Sequence, residues 1–179
     1  MVDDQVWGPQ YCSVRRHQDR VKKLIGTTTE PATVVDAIED FLIQCYSLRD
    51  WLTRAGFKGA FCYVSDHEHL NVCEGLANTG KHAGLDLKNH VYKHPPYRLY
   101  VGQATVLSST TPPHDSLIEG SGDYFVTSHD DQSVYEVIPF MAACMAEWDE
   151  FIVGCGAKIP LCHPLPLGKR VEGCNLDLD

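Results

Sequence analysis

Three polar residues with complementary chemistry lie close together in the stretch GLANTGKHAG, residues 75–84. Asn78 precedes Lys81 by three residues and His82 by four, so their side chains can meet if the stretch is helical. Histidine titrates near neutral pH, and the lysine ammonium supplies a positive charge. With a carboxylate from a neighbouring helix, here Asp50, such a set can bind a phosphate and transfer a proton. The candidate catalytic residues are therefore Asp50, Asn78, Lys81 and His82.

The same stretch also fits an ordinary amphipathic helix. At about 100° per residue, one arc roughly 100° wide carries His67, Asn71, Glu74, Asn78, Lys81 and His82. A separate arc carries Leu70, Cys73, Leu76, Ala77 and Gly80. On this second interpretation, the polar cluster stabilises the helix bundle or mediates dimerisation, and no reaction takes place there.

A second candidate surface is basic. Residues 10–25 predict a helix whose polar face carries five of the fifteen basic residues of the chain. They are Arg15, Arg16, Arg20, Lys22 and Lys23. Such a face is either a solvated helix surface or a stripe that binds phosphate groups. The formal net charge of −9 argues against a protein that coats nucleic acid by bulk electrostatics, but it allows a local basic patch.

The cysteines and histidines do not form a recognisable metal motif. His69 and Cys73 have a spacing that can reach one metal ion, and further cysteines follow near the C-terminus. Structural zinc sites, however, usually contain paired ligands such as CxxC, and the sequence has none. We therefore predict no metal and no cofactor. We expect the eight cysteines to be mostly free thiols in a reducing cytoplasm, because the N-terminus does not resemble a secretory signal.

Hydrophobic periodicity predicts the elements that position these residues. The strongest helix covers 32–55, with apolar residues at alternating steps of four and three. Residues 57–64 are predicted as a short strand or extended linker, and Ser65 with Glu68 as a capping box for a helix that runs to about His82. A last helix is expected from Pro139 to Gly154. Asp50 is expected to be partly enclosed, because the central helix is apolar on two sides.

Strand patterns lie between the third and the last of these helices. Alternating apolar and polar residues predict strands at 97–109, 124–128 and 133–138, and the loop HDDQ joins the last two. The predicted fold class is α+β and mainly helical: a four-helix bundle with an antiparallel β-meander inserted at about 97–138. We predict one domain over residues 1–154, followed by a coil at 155–179 that packs on its surface.

The residues ANTGKH, with the pair Asp50 and Trp51 at the end of the preceding helix, resemble the HEPN group of helical-bundle proteins. The pattern is more closely similar to uncharacterised bacterial and phage proteins in which a helix ending in Asp-Trp precedes an Ala-Asn-x-x-Lys-His helix. The resemblance covers roughly residues 10 to 90 and the final helix. Asn78 matches the usual polar position of the HEPN motif, and His82 matches its histidine. Ala77 stands where active HEPN ribonucleases carry arginine.

The resemblance implies two alternative functions. One is a HEPN-like module that binds a partner or dimerises through a diverged site. The other is a metal-independent RNA endonuclease of the toxin or phage-defence type, in which the 2′-hydroxyl attacks the adjacent phosphate and Lys81 supplies the missing positive charge. The expected partners are RNA or a nucleotide and a second copy of the chain, with no membrane. The expected location is cytoplasmic.

Overall fold

The computed structural model describes residues 4–27, 30–81, 97–102, 123–128 and 134–162. Within these ranges the chain forms five helices and three strands. They are α1 (Asp4–Thr27), α2 (Pro31–Arg54), α3 (Ala60–Asp66), α4 (Glu68–Lys81), β1 (Tyr97–Gly102), β2 (Asp123–Ser128), β3 (Val134–Glu136) and α5 (Val137–Gly154). The predicted mainly helical fold with a small antiparallel sheet is confirmed.

Helix α2 is the central element, as the sequence predicts. All seven residues of its predicted seam are buried: Val34, Ile38, Phe41, Cys45, Leu48, Leu52 and Ala55. Pro31 is its first residue, where a missing backbone N–H costs nothing. Gly56 follows its end with φ of 95°, a left-handed conformation that glycine adopts without steric penalty. Helix α1 packs along α2.

Helix α1 is longer than the predicted 10–25 and begins at Asp4. Trp7 and Tyr11 continue its buried seam at the same steps of four and three that lead to Val14 and Val21. The Trp7 ring meets Phe57 edge-on, with 5.5 Å between centroids. These aromatic contacts stabilise a helical start that Gly8 and Pro9 make hard to predict from propensity.

The prediction of a strand or linker at 57–64 is wrong, because residues 60–66 form α3. Gly59 precedes α3 with φ of 86°, and Ala60 and Val64 bury one face of this short helix at a spacing of four. The predicted capping box is also wrong. Ser65 lies inside α3, where its hydroxyl donates to the Phe61 carbonyl at 3.4 Å.

Helix α4 is capped instead by a carboxylate from α5. Glu147 Oε2 accepts the backbone N–H of Leu70 at 3.0 Å, and Glu147 Oε1 accepts that of His69 at 3.4 Å. Glu147 Oε1 also lies 2.7 Å from His69 Nδ1. The first backbone N–H groups of a helix need acceptors, and a negative charge there is favoured by the helix dipole. The contact therefore joins the start of α4 to the middle of α5.

The three strands form one antiparallel sheet in the order β1-β2-β3. Leu99 of β1 pairs with Val126 of β2, which pairs with Tyr135 of β3. Tyr124 and Val126 are buried at alternate positions, so one face of β2 packs on the helical core. The β2–β3 pairing confirms the predicted hairpin, while its loop at 129–133 and residues 103–109 lie outside the described residues. The third strand is shorter than predicted because α5 begins at Val137, two residues before Pro139.

The described part of the C-terminal segment is tied to α1. Residues 157–162 contain neither helix nor strand, and Cys162 forms a disulfide with Cys12. The prediction of free thiols is therefore wrong for these two cysteines. Ala157 and Ile159 also pack against the hydrophobic core. The proposed division at residue 154 stays a prediction, because residues 163–179 lie outside the described residues. None of the helices in the described ranges has the length and hydrophobicity to cross a bilayer.

Candidate functional site

The arginine at position 49 is the centre of a polar cluster between α2 and α4. Its side chain is only 12% exposed, although arginine is seldom buried without partners. The guanidinium carbon lies 4.3 Å from the centroid of the Tyr46 ring and 4.0 Å from that of the Phe61 ring. Both rings therefore offer their faces to the cation. Tyr46 precedes Arg49 by three residues, so α2 presents both side chains on one face.

Two carboxylates complete this cluster. Arg49 donates from Nη1 to Glu74 Oε1 and from Nε to Asp50 Oδ1, each at 3.1 Å. The Tyr46 hydroxyl donates to the same Glu74 oxygen at 3.1 Å. We call Tyr46, Arg49, Asp50, Phe61 and Glu74 the Arg49 cluster. One cation and two carboxylates give it a formal charge of −1.

Of the predicted catalytic residues, Asn78 lies next to this cluster. Burial raises the pKa of Tyr46 above its usual value, and a side-chain hydrogen bond with Asn78 works against that rise. Glu74 precedes Asn78 by four residues, so α4 presents both on the side that faces Tyr46. Helix α4 thus contributes a carboxylate and an amide to the α2 surface.

Asp50, expected to be partly enclosed, lies at the rim of the cluster. Its side chain is 50% exposed, and its Oδ1 accepts from Arg49 Nε. The physical reason is its neighbour: Arg49 occupies the buried side of the α2–α4 contact and leaves Asp50 at the rim. Lys81 is the last residue of α4, and its side chain lies outside the described part. His82 also lies outside the described residues, so the predicted pocket shared by Asp50 and His82 stays a prediction.

Sequence reasoning missed Arg49 altogether. The pattern did contain a signal, because Tyr46 and Arg49 share a face at a spacing of three, as Glu74 and Asn78 do at four. The signal was incomplete because helical spacing does not tell which face of α2 meets which face of α4.

The basic face of α1 divides into residues with different environments. Arg15 turns towards α5 and donates to Asp149 Oδ2 at 2.6 Å, while exposed Arg20 pairs with Asp40 at 3.1 Å. The other three predicted binding residues, Arg16, Lys22 and Lys23, are exposed. The basic stripe is thus smaller than the sequence suggests, because Arg15 is partly buried in an ion pair with Asp149 of α5.

Tyr11 links Arg15 and Asp149 into a second polar cluster. Its hydroxyl donates to Asp149 Oδ1 at 2.5 Å and accepts from Arg15 Nε at 3.0 Å. Burial, followed by the hydrogen bond to Asp149, raises the pKa of Tyr11 to about 12. This network joins α1 to α5 at the edge of the core, where the Arg15 and Asp149 side chains are 31% and 32% exposed.

Three cysteines meet inside the core, which the sequence did not predict. Cys45, Cys73 and Cys144 come from α2, α4 and α5, and their Sγ atoms lie within 4.8 Å of one another. The neighbouring Cys144 and Cys73 side chains lower the pKa of the Cys45 thiol, whereas burial raises the pKa of Cys144. The sequence analysis considered a metal ion shared by His69 and Cys73. In the structure His69 Nδ1 lies 2.7 Å from Glu147 Oε1, so the His69 side chain is not part of the cysteine group.

Comparison of the chain with protein-family models, with curated proteins and with solved structures finds no match. The resemblance to HEPN proteins therefore depends on the sequence pattern.

Proposed function

We propose that this chain is a HEPN-like helical module that binds a second copy of itself through a diverged site. The four-helix bundle of the proposal corresponds to α1, α2, α4 and α5, which have 24, 24, 14 and 18 residues. Helix α3, with 7 residues, is an addition to that plan.

The observation that carries the proposal is that the contacts of Arg49 are made within the bundle. Its guanidinium is held by two carboxylates and two aromatic rings, in a cluster of formal charge −1. A site that stabilises a phosphate in its transition state needs a net positive environment aimed at the developing charge. The Arg49 cluster has a net negative formal charge instead, and its hydrogen bonds join α2 to α4.

The position of Ala77 supports the same conclusion. The HEPN resemblance assigns an arginine to this position, and Ala77 is only 2% exposed. A long charged side chain there would have to enter the packed interface between helices, at a high desolvation cost. The catalytic arginine of the motif is therefore replaced by a packing residue.

Phe61 suggests the surface that takes part in binding. Its side chain is 51% exposed, and the guanidinium of Arg49 covers one face of its ring. Aromatic and arginine side chains are enriched at protein interfaces, where they supply a large share of the binding energy. We infer that a second copy covers the exposed face of Phe61, so that the Arg49 cluster orders a docking residue.

Sedimentation velocity over a range of concentrations tests this proposal. We expect the wild-type chain to dimerise and Phe61→Ser to shift the equilibrium towards monomer by at least about 10-fold, the loss expected for an interface anchor worth about 1.4 kcal/mol or more. Val153→Ser is the matched control, because Val153 is an apolar residue of similar exposure, 58%, on a different helix, α5. A monomeric wild type, or equal effects of the two variants, would contradict the proposal.

An RNA endonuclease is the second candidate, favoured by one observation. Arg49 contacts Tyr46, which bonds to Asn78, so α2 brings a cation to the residue that matches the polar position of the motif. That cation can take the place of the missing arginine. Single-stranded RNA incubated with the chain in a chelating buffer separates the candidates. Cleavage by the wild type that His82→Ala abolishes, with unchanged folding, would establish the nuclease. Equal background with both proteins would exclude it.

A further inference from the structure

Three separate helices each direct one thiol to the same point of the core. Cys45, Cys73 and Cys144 are at most 1% exposed, and their Sγ atoms lie within 4.8 Å of one another. We propose that these thiols bind trivalent arsenic or antimony, taken up as the neutral hydroxide. This site is independent of the proposed function and uses none of its residues.

The spacing of the sulfur atoms is close to what three-coordinate binding requires. With metal–sulfur bonds of about 2.3 Å and the bond angles of about 100° that a lone pair imposes, three sulfurs stand about 3.5 Å apart. The observed upper limit of 4.8 Å exceeds that value by about 1.3 Å. Side-chain rotations on three fixed helices can supply this difference without moving the backbone.

The surroundings favour three ligands over four. Cys73 Sγ donates to the Leu42 carbonyl and Cys144 Sγ to the His69 carbonyl, each at 3.5 Å, which keeps these thiols oriented. Among the described histidines, cysteines and acidic residues, no fourth ligand atom joins the group. Zinc sites in proteins usually have four ligands. A trivalent arsenic or antimony centre is complete with three sulfurs and its lone pair.

Charge balance distinguishes the trivalent ion from other thiophilic ions. Three thiolates with a monovalent or divalent ion would leave net negative charge in a dry core, where an uncompensated charge is costly. With arsenous acid, As(OH)₃, three As–S bonds form and three As–O bonds break. Each thiol proton leaves with a hydroxide as water, and arsenic stays trivalent. Reactants and products are neutral, so the core acquires no charge.

Arsenite added to the full-length chain tests the site directly. Native mass spectrometry should show one arsenic bound with the loss of three hydrogens. X-ray absorption at the arsenic edge should show three sulfur neighbours and no oxygen. This measurement uses the wild type, so it does not depend on whether a variant folds. The same measurements with zinc and with copper(I) provide the comparison.

Cysteine variants identify the ligands. Cys144→Ala, checked for folding by circular dichroism, should weaken arsenite binding on the order of 100-fold, because one intramolecular contact of the chelate is lost. Cys62→Ala removes an exposed thiol, and Cys162→Ala removes the disulfide to α1; both should bind as the wild type does. The proposal is overturned if arsenic does not bind, if it shows fewer than three sulfur neighbours, if zinc or copper(I) binds these thiols in preference, or if either control variant loses binding.

Discussion

Replacing Arg49 by methionine tests whether the Arg49 cluster stabilises the bundle. Methionine keeps most of the aliphatic stem and removes the guanidinium, so the change isolates the polar contacts from packing. Arg49 bonds to Glu74 and Asp50, and it stacks on two aromatic rings. We expect Arg49→Met to lower the free energy of unfolding by about 2.5–5 kcal/mol.

The magnitude follows from the separate contacts. A partly buried hydrogen bond to a charged group contributes about 1.5–3 kcal/mol, which applies to the Glu74 contact. Each cation–π contact adds about 0.5–1 kcal/mol at exposed sites, and Arg49 makes two. The bond to half-exposed Asp50 adds little because solvent screens it.

Arg20→Met is the matched control. Arg20 also makes an ion pair at 3.1 Å, but its side chain and that of Asp40 are both about half exposed. Its loss should cost less than about 1 kcal/mol. Urea denaturation followed by circular dichroism measures both variants, and an unchanged m-value shows that only stability changed. The reasoning is refuted if Arg49→Met loses no more stability than Arg20→Met.

Two further predictions concern the pH dependence of stability and the capping of α4 by Glu147. Tyr11 and Tyr63 have their pKa values raised to about 12 in the folded chain, mainly by burial, from 10.0. The folded state therefore keeps these protons up to a higher pH than the unfolded state does. The free energy of unfolding should fall between pH 10 and 12 as a result. Urea titrations that give the same free energy of unfolding across that pH range would count against this prediction. Glu147→Gln should lower stability by about 1–2 kcal/mol and speed hydrogen exchange at the amides of His69 and Leu70, because the charged cap of α4 is lost. Unchanged exchange at both amides would show that the carboxylate is dispensable.

Helix α2 shows which features the sequence predicts well. Its buried residues from Val34 to Ala55 recur at steps of four and three along the whole helix. Pro31 and Gly56 are residue types that favour a helix start and a helix end, and they lie at those positions. Long, strongly periodic segments with such signals are determined locally. The final helix, with Trp148 buried in its seam, was predictable for the same reason.

Helix α3 and the start of α4 show where local information ends. Residues 60–66 are too few for a helical period to stand out from a strand pattern, and buried Ala60 and Val64 hold the helix through tertiary packing. Ser65 and Glu68 have the spacing of a capping box, but Glu147 supplies the cap from another helix. Nothing in the local sequence can reveal a partner that is 77 residues away.

The candidate site was predictable in part. Periodicity correctly grouped Glu74 with Asn78 on the polar face of α4. It could not show that Arg49 takes the buried side of the contact, because Arg49 and Asp50 are adjacent and the packing of α3 and α4 decides between them. The meeting of Cys45 with Cys73 and Cys144 likewise requires knowledge of three helix orientations.

The contact of Glu147 with α4 also has a consequence for synthesis on the ribosome. The chain emerges from its amino end, so α4 leaves the exit tunnel long before the residue that completes its first turn. Until then its leading amides are satisfied by water, and that end of the helix frays. Nascent chains halted ahead of position 147 should therefore be more susceptible to proteolysis near residue 68 than the released protein.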